Sequence, residues 1–144
     1  MSSASSITVK TITETFNEVA YKRACADLDV SPPPIKFRSC FDPTLLGVYR
    51  HSSRSVEIYP LTHNDLVTLT QTVLHELRHA HQHQKWPRWF FNVLSNRASR
   101  FSRVGNYSRY ERVLTERDAR KWAEENARRY PDMFMAKSDV STEN

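Results

Sequence analysis

The chain has 144 residues, 39% of them hydrophobic, with seven Phe, six Tyr and three Trp to fill a compact interior, which suits one globular domain. Only two glycines, Gly47 and Gly105, occur, so neither a P-loop nor a dinucleotide-binding turn can be built, and two cysteines, Cys25 and Cys40, are too few for a disulfide framework or a thiolate zinc site and read as buried thiols. The net charge is +5, and with no basic-then-apolar leader and no run near 18 apolar residues, neither a secretory signal nor a membrane span is expected, which makes the cytoplasm the expected location.

Residues 1–6 and 137–144 are small, polar and without hydrophobic period, and read as flexible tails around a single domain at 7–136. Phe16, Val19, Ala20, Ala24 and Leu28 follow helical spacing, which predicts one helix over Thr13–Leu28, stopped by Ser31-Pro32-Pro33-Pro34. Alternation in Ile35–Cys40, in LLGVYR around Gly47 and in Ser55–Tyr59 predicts three short strands, the last two joined as a hairpin by the polar HSSR. Asn64 or Asp65 can cap a helix whose apolar positions Leu66, Leu69, Val73, Leu74, Leu77 and Ala80 run on until Pro87. Between Lys85 and Arg112 lie seven Lys or Arg against one acid, Glu111, interleaved with Trp89, Phe90, Phe91, Phe101 and Tyr107. A last helix is expected from about Ser108 to Tyr130, before Pro131, and no repeat or linker divides the chain. The elements make an α+β domain, a small antiparallel or mixed sheet of about three strands packed on an N-terminal helix, the Pro87-terminated helix and a C-terminal helix.

Four of the six histidines fall in nine residues of that second helix, His75, His79, His81 and His83. His75, Glu76 and His79 form H-E-x-x-H, and residues four apart on a helix differ by only about 40° in direction, so both imidazoles can reach one ion. A catalytic zinc needs three protein ligands and an open position, and Glu76 beside the first ligand suits a general base that takes a proton from a zinc-activated water and passes it to a leaving amine. His83 cannot complete the set, because eight residues rise about 12 Å. His81 and His83 therefore read as solvated or supporting groups. The pattern H-E-x-x-H-x-x-G-x-x-H also fails, with Gln82 in place of glycine and Lys85 in place of the third histidine.

The third ligand must come from elsewhere, and the last helix offers Glu111, Glu116 and Asp118 near its start. Ala119, Ala123, Ala127 and Tyr130 mark its core face, and Glu116 stands on that stripe. At 100° per residue Asp118 points about 160° and Glu111 about 140° away from it. Glu116 is thus the expected third ligand, against the reading of a solvated glutamate favoured by the dipole at a helix start.

These features resemble a gluzincin-type zinc metallopeptidase, in which H-E-x-x-H on one helix is completed by a Glu on a later one, and they are similar to the ImmA/IrrE-type family. The resemblance rests on the hairpin GVYRHSSRSVEIY, the helix TVLHELRHA and a segment similar to E-x-x-A-x-x-x-A at Glu116–Ala123, and spans roughly Leu46 to Ala127. It implies a minimal zincin-like fold, zinc on His75, His79 and Glu116, Glu76 as base, and an edge strand before the active-site helix whose backbone at Val56, Glu57, Ile58 and Tyr59 holds extended substrate. Arg120 departs from the pattern, since related segments tend to carry Asp or Asn there to support a ligand. His63, Tyr107 and Tyr110 are candidates for stabilising a developing oxyanion, but a tyrosine so placed is more often core or surface, and none is assigned.

The expected function is zinc-dependent hydrolysis of peptide bonds in a protein or peptide substrate. The alternative is a non-enzymatic module with a structural zinc, binding nucleic acid or an acidic protein through the basic, aromatic surface of residues 85–112.

Overall fold

The computed structural model describes residues 8–40, 42, 44–63, 65–86 and 106–135, with side chains in the last stretch described from residue 114 onward. The two expected tails and the basic, aromatic segment at 87–105 lie outside the described residues, as do the side chains of Tyr107, Tyr110 and Glu111.

Helix α1 (Val9–Thr15) starts at Thr8, whose Oγ1 accepts from the Thr11 amide at 3.0 Å. The single helix expected over Thr13–Leu28 is broken. Phe16 is extended, and the Asn17 side chain accepts from the amides of Val19 at 3.0 Å and Ala20 at 3.3 Å, opening α2 (Glu18–Asp27). Asparagine satisfies two amides that a helix start otherwise leaves without partners, and the Asn17 amide itself donates to the Met133 carbonyl at 2.9 Å, so the break is held from the far end of the chain. Past the break Ala20, Ala24 and Leu28 keep the expected inner face, at most 4% exposed, whereas Val19, expected in the core, is 61% exposed. After α2, Asp29 adopts φ 55°, a left-handed conformation that Asp tolerates, and the Tyr21 hydroxyl donates to the Pro33 carbonyl at 2.7 Å, pinning the proline run.

Strands β1 (Ile35–Phe37), β2 (Gly47–Arg50) and β3 (Ser55–Ile58) form a mixed sheet in the order β1-β3-β2. β2 and β3 make the expected antiparallel hairpin with Gly47 opposite Ile58, and β1 joins β3 in parallel with Ile35 opposite Val56. β3 is therefore the central strand. Val56, Glu57, Ile58 and Tyr59, expected on a free edge, are already paired: the Val56 amide donates to Pro34, the Ile58 carbonyl accepts from Arg38, and the Tyr59 amide donates to Leu46. The edge was what the resemblance implied, and β1, a parallel partner that arrives earlier in the chain, occupies the side taken to be open.

A 3-10 turn at Pro60–Thr62 leads to α3 (Leu66–Lys85), capped by Asp65, which accepts from the Thr68 amide at 2.8 Å. Leu69, Val73, Leu74, Leu77 and Ala80 are at most 2% exposed and form its inner face, whereas Leu66 in the first turn stays open to solvent. Trp86 is extended ahead of Pro87, as the proline ring requires, and ends the helix. Helix α4 (Asn106–Asn126) lies across α3 through Ala119 and Ala123 and tightens into a 3-10 turn at Ala127–Arg129, so the regular helix stops short of the expected Tyr130. Alanines at the crossing let the two backbones approach closely. The Tyr130 hydroxyl donates to Asp27, tying the end of α4 to α2. Phe16, Tyr21, Phe37 and Phe134 pack with ring centroids 5.1 to 5.8 Å apart at the junction of α1, α2, the sheet and the C-terminal turn. Cys25 is buried as expected, but Cys40 is partly exposed. Among the described residues no helix is long and apolar enough to cross a membrane.

Candidate metal centre

The α3–α4 crossing sets the site. His75 and His79, one turn apart on α3, aim Nε2 atoms that lie 3.2 Å from each other, and both meet the Glu116 carboxylate of α4: His75 Nε2 is 2.9 Å from Oε2 and His79 Nε2 is 2.8 Å from Oε1. A tetrahedral ion with bonds near 2.0 to 2.1 Å separates adjacent donors by about 3.3 Å, so the spacing of the two nitrogens fits such an ion, as does the His-His-Glu donor set. Asp118, weighed for the same role, does not join this group, and the side chain of Glu111 lies outside the described residues.

One nitrogen of His79 is committed elsewhere. Gln82, only 3% exposed, donates from its amide nitrogen to the Thr115 carbonyl at 2.9 Å and to Asp118 Oδ2 at 3.0 Å, which leaves its oxygen to accept from His79 Nδ1 at 2.9 Å. Nδ1 therefore carries a hydrogen, and Nε2 is the nitrogen offered to an ion. Asp118 is held in turn by two bonds from Arg78, at 2.7 and 3.2 Å. The support expected one turn past Glu116 thus comes from Gln82 on the other helix, while Arg120 is exposed at the cleft rim. Gln82, Arg78 and Asp118 were not singled out in the sequence as a supporting group, because nothing in one helix's periodicity tells a polar residue under a second helix from one facing water.

Charge follows geometry. Hydrogen bonds from His75 and His79 hold Glu116 far below the usual carboxylate range. Burial pulls His79 down, but the hydrogen bond to Glu116, the charge of Glu76 and the bond to Gln82 together outweigh it and leave His79 above its ordinary value. Glu76, 6% exposed, is pushed up by burial, against the opposing charges of His75 and His79 and a bond from the Tyr49 amide.

These groups line one cleft of about 1010 Å³, whose opposite wall is Leu46, Gly47, Val48 and Tyr49. The strand edge facing the site is therefore β2. His63 lies on the same wall, bound to the Tyr59 carbonyl at 3.1 Å and the Thr72 hydroxyl at 2.7 Å. His81 donates to the Leu28 carbonyl at 2.9 Å and fastens α3 to the end of α2, and His83 Nδ1 meets the Tyr49 hydroxyl at 2.9 Å. Both histidines are outside the His75–His79–Glu116 group, His83 because of the helical rise and His81 because it points about 160° away from His79, and neither is simply solvated. Comparison with protein-family models, curated proteins and solved structures gave no match to this chain.

Proposed function

We propose that the chain is a zinc-dependent metallopeptidase of minimal, zincin-like build, in which His75, His79 and Glu116 hold one Zn2+ and Glu76 is the general base. The observation that carries this reading is the convergence of two imidazole nitrogens and both oxygens of Glu116 at 2.8 to 3.2 Å beside a buried glutamate in an open cleft. When bound, the ion would supply Lewis acidity, polarising a carbonyl and bringing the pKa of water toward about 7. Glu76 holds the proton: burial raises its affinity for one, which suits a group that must take a proton from water and deliver it to a leaving amine. Gln82 fixes the ring of His79. The similarity to the ImmA/IrrE-type family at H-E-x-x-H and at Glu116–Ala123 points the same way.

The substrate class follows from β2. Because the Tyr59 amide bonds to Leu46, the alternation of an antiparallel ladder turns the backbone of Leu46, Val48 and Arg50 toward β3 and that of Gly47 and Tyr49 outward, along the cleft. An extended peptide laid there would pair with Gly47 and with the Tyr49 carbonyl, the Tyr49 amide being bonded to Glu76, and run past His75 and Glu76, replacing the role first expected of Val56 to Tyr59. The test is a degenerate peptide library incubated with zinc-loaded protein and read by mass spectrometry. Glu76→Gln is expected to keep one zinc per chain while cleavage falls about 10²–10⁴-fold. Wild-type rates in that variant, or no cleavage anywhere in the library by the zinc-loaded wild type, would overturn the proposal.

A further inference from the structure

We propose that His51 and His83 form a second, weaker site for a divalent transition-metal ion, one helical turn along α3 from His79. His83 is eight residues and about 12 Å of helical rise from His75, too far to share an ion with it, and its ring is turned toward a different partner. His51, in the turn that follows β2, brings its ring centroid to 4.6 Å from that of His83, with 57° between the planes. The corresponding figures for His75 and His79 are 4.8 Å and 76°. Two imidazoles from separate elements thus stand at the spacing of the pair in the first centre, on the wall of the same cleft.

The second pair also has the supporting contact that a metal-binding histidine takes. Tyr49, 6% exposed and rigid within the sheet, places its hydroxyl 2.9 Å from His83 Nδ1. That bond fixes the ring and leaves Nε2 as the nitrogen free to bind an ion, as the Gln82 bond to Nδ1 does for His79. Burial holds both rings below the ordinary histidine value, with the Arg54 charge adding to it at His83, so each offers a lone pair at neutral pH. Two imidazoles with no carboxylate select Zn2+, Ni2+ or Cu2+ and reject Mg2+ and Ca2+, which need oxygen ligands. With only two protein ligands and the Arg54 charge close to His83, binding is about 100-fold or more weaker than at the first centre.

The site is tested by titrating Zn2+ into the metal-free full chain in a calorimeter. The wild type is expected to show a tight event and a weaker one. His51→Ala and His83→Ala should each abolish the weaker event and keep the tight one, which also reports that the variant is folded. Tyr49→Phe should weaken the second event about 10-fold. His75→Ala should remove the tight event and leave the weaker one, so the two centres fail or stand separately. Mg2+ is expected to give no heat at either. A single event in the wild type, or a weaker event that survives both His51→Ala and His83→Ala, overturns the inference.

Discussion

Gln82 is the residue whose replacement separates metal chemistry from folding most cleanly. Changing it to Leu removes three hydrogen bonds, two that join α3 to α4 at 2.9 and 3.0 Å and one within α3 at 2.9 Å, and leaves the Nδ1 hydrogen of His79 without an acceptor. Net contributions of about 1 kcal/mol for each neutral bond, and more for the one to the Asp118 carboxylate, offset in part by the apolar leucine, make the metal-free chain about 2–3 kcal/mol less stable. Losing the group that orients His79 should raise the zinc dissociation constant about 10–100-fold, equivalent to roughly 1.4–2.7 kcal/mol. Gln82→Glu distinguishes the two effects. Its carboxylate still accepts from His79, so zinc should bind within about threefold of wild type or more tightly, while repulsion from Asp118 and the Thr115 carbonyl lowers stability as Leu does. Zinc affinity is measured by competition with a chromophoric chelator, and stability by urea unfolding of the metal-free protein. A Leu variant that binds zinc within about twofold of wild type would refute the assignment of Gln82 as the group that positions His79.

Ala119 is fully buried at the helix crossing, one turn after Glu116, so Ala119→Leu is expected to cost about 1–3 kcal/mol by overpacking and to weaken zinc binding although no ligand is altered; unchanged affinity would show that the helices give way locally. A Cβ on Gly47 would meet Ile58 Cδ1 and Thr72 Cγ2 at 3.0 Å and the Glu57 carbonyl at 3.1 Å, so Gly47→Ala should destabilise by about 1 kcal/mol in chemical denaturation, instead of gaining the about 0.4–1 kcal/mol that removing a glycine can yield. His79 and Glu116 make the metal-free chain's stability depend on pH. A raised histidine contributes fully below its ordinary 6.5 and is lost as pH rises through its folded value, and a depressed glutamate contributes above its ordinary 4.5 and is lost as pH falls. Their joint contribution should peak between about pH 4.5 and 6.5 and flatten in Glu116→Gln, which urea midpoints across pH will check. For the same reason zinc uptake should release protons from His79, more of them as pH falls, measurable as a dependence of the binding heat on the buffer's ionisation enthalpy.

How much of this was legible in the sequence depended on how local the cause is. The two histidines and Glu76 sit within five residues of one helix, and that helix carries its own start and stop at Asp65 and Pro87, so spacing alone located them. Glu116 is forty positions away, yet it was legible too, because Ala119 and Ala123 mark which side of α4 is buried and Glu116 stands on that side. The break at Asn17 was not. Phe16, Val19, Ala20 and Ala24 keep an unbroken helical period across it, and the cap wins through a side chain worth about 1 kcal/mol and a bond from the Asn17 amide to the Met133 carbonyl that no local pattern announces.

The edge position implied for Val56 to Tyr59 failed for a related reason with a larger consequence. Alternation in three or four residues identifies a strand and the face each side chain takes, but the ladder that fills its second side is set by chain arriving from elsewhere. Ile35–Phe37 is three residues long and pairs across the whole intervening hairpin, and that pairing converts β3 from an edge into the centre and passes the exposed edge to β2. Position along the cleft changes with it: a peptide on β2 lies against Gly47 and Tyr49, and Tyr49 also reaches His83 through its hydroxyl and Glu76 through its amide. One residue of the exposed strand therefore touches both histidine pairs' surroundings, so the wall that would hold substrate and the side chains that would hold metal are set by a single packing of β2 on α3. The close approach at Gly47 enforces that packing, and a change there should alter metal binding and peptide binding together.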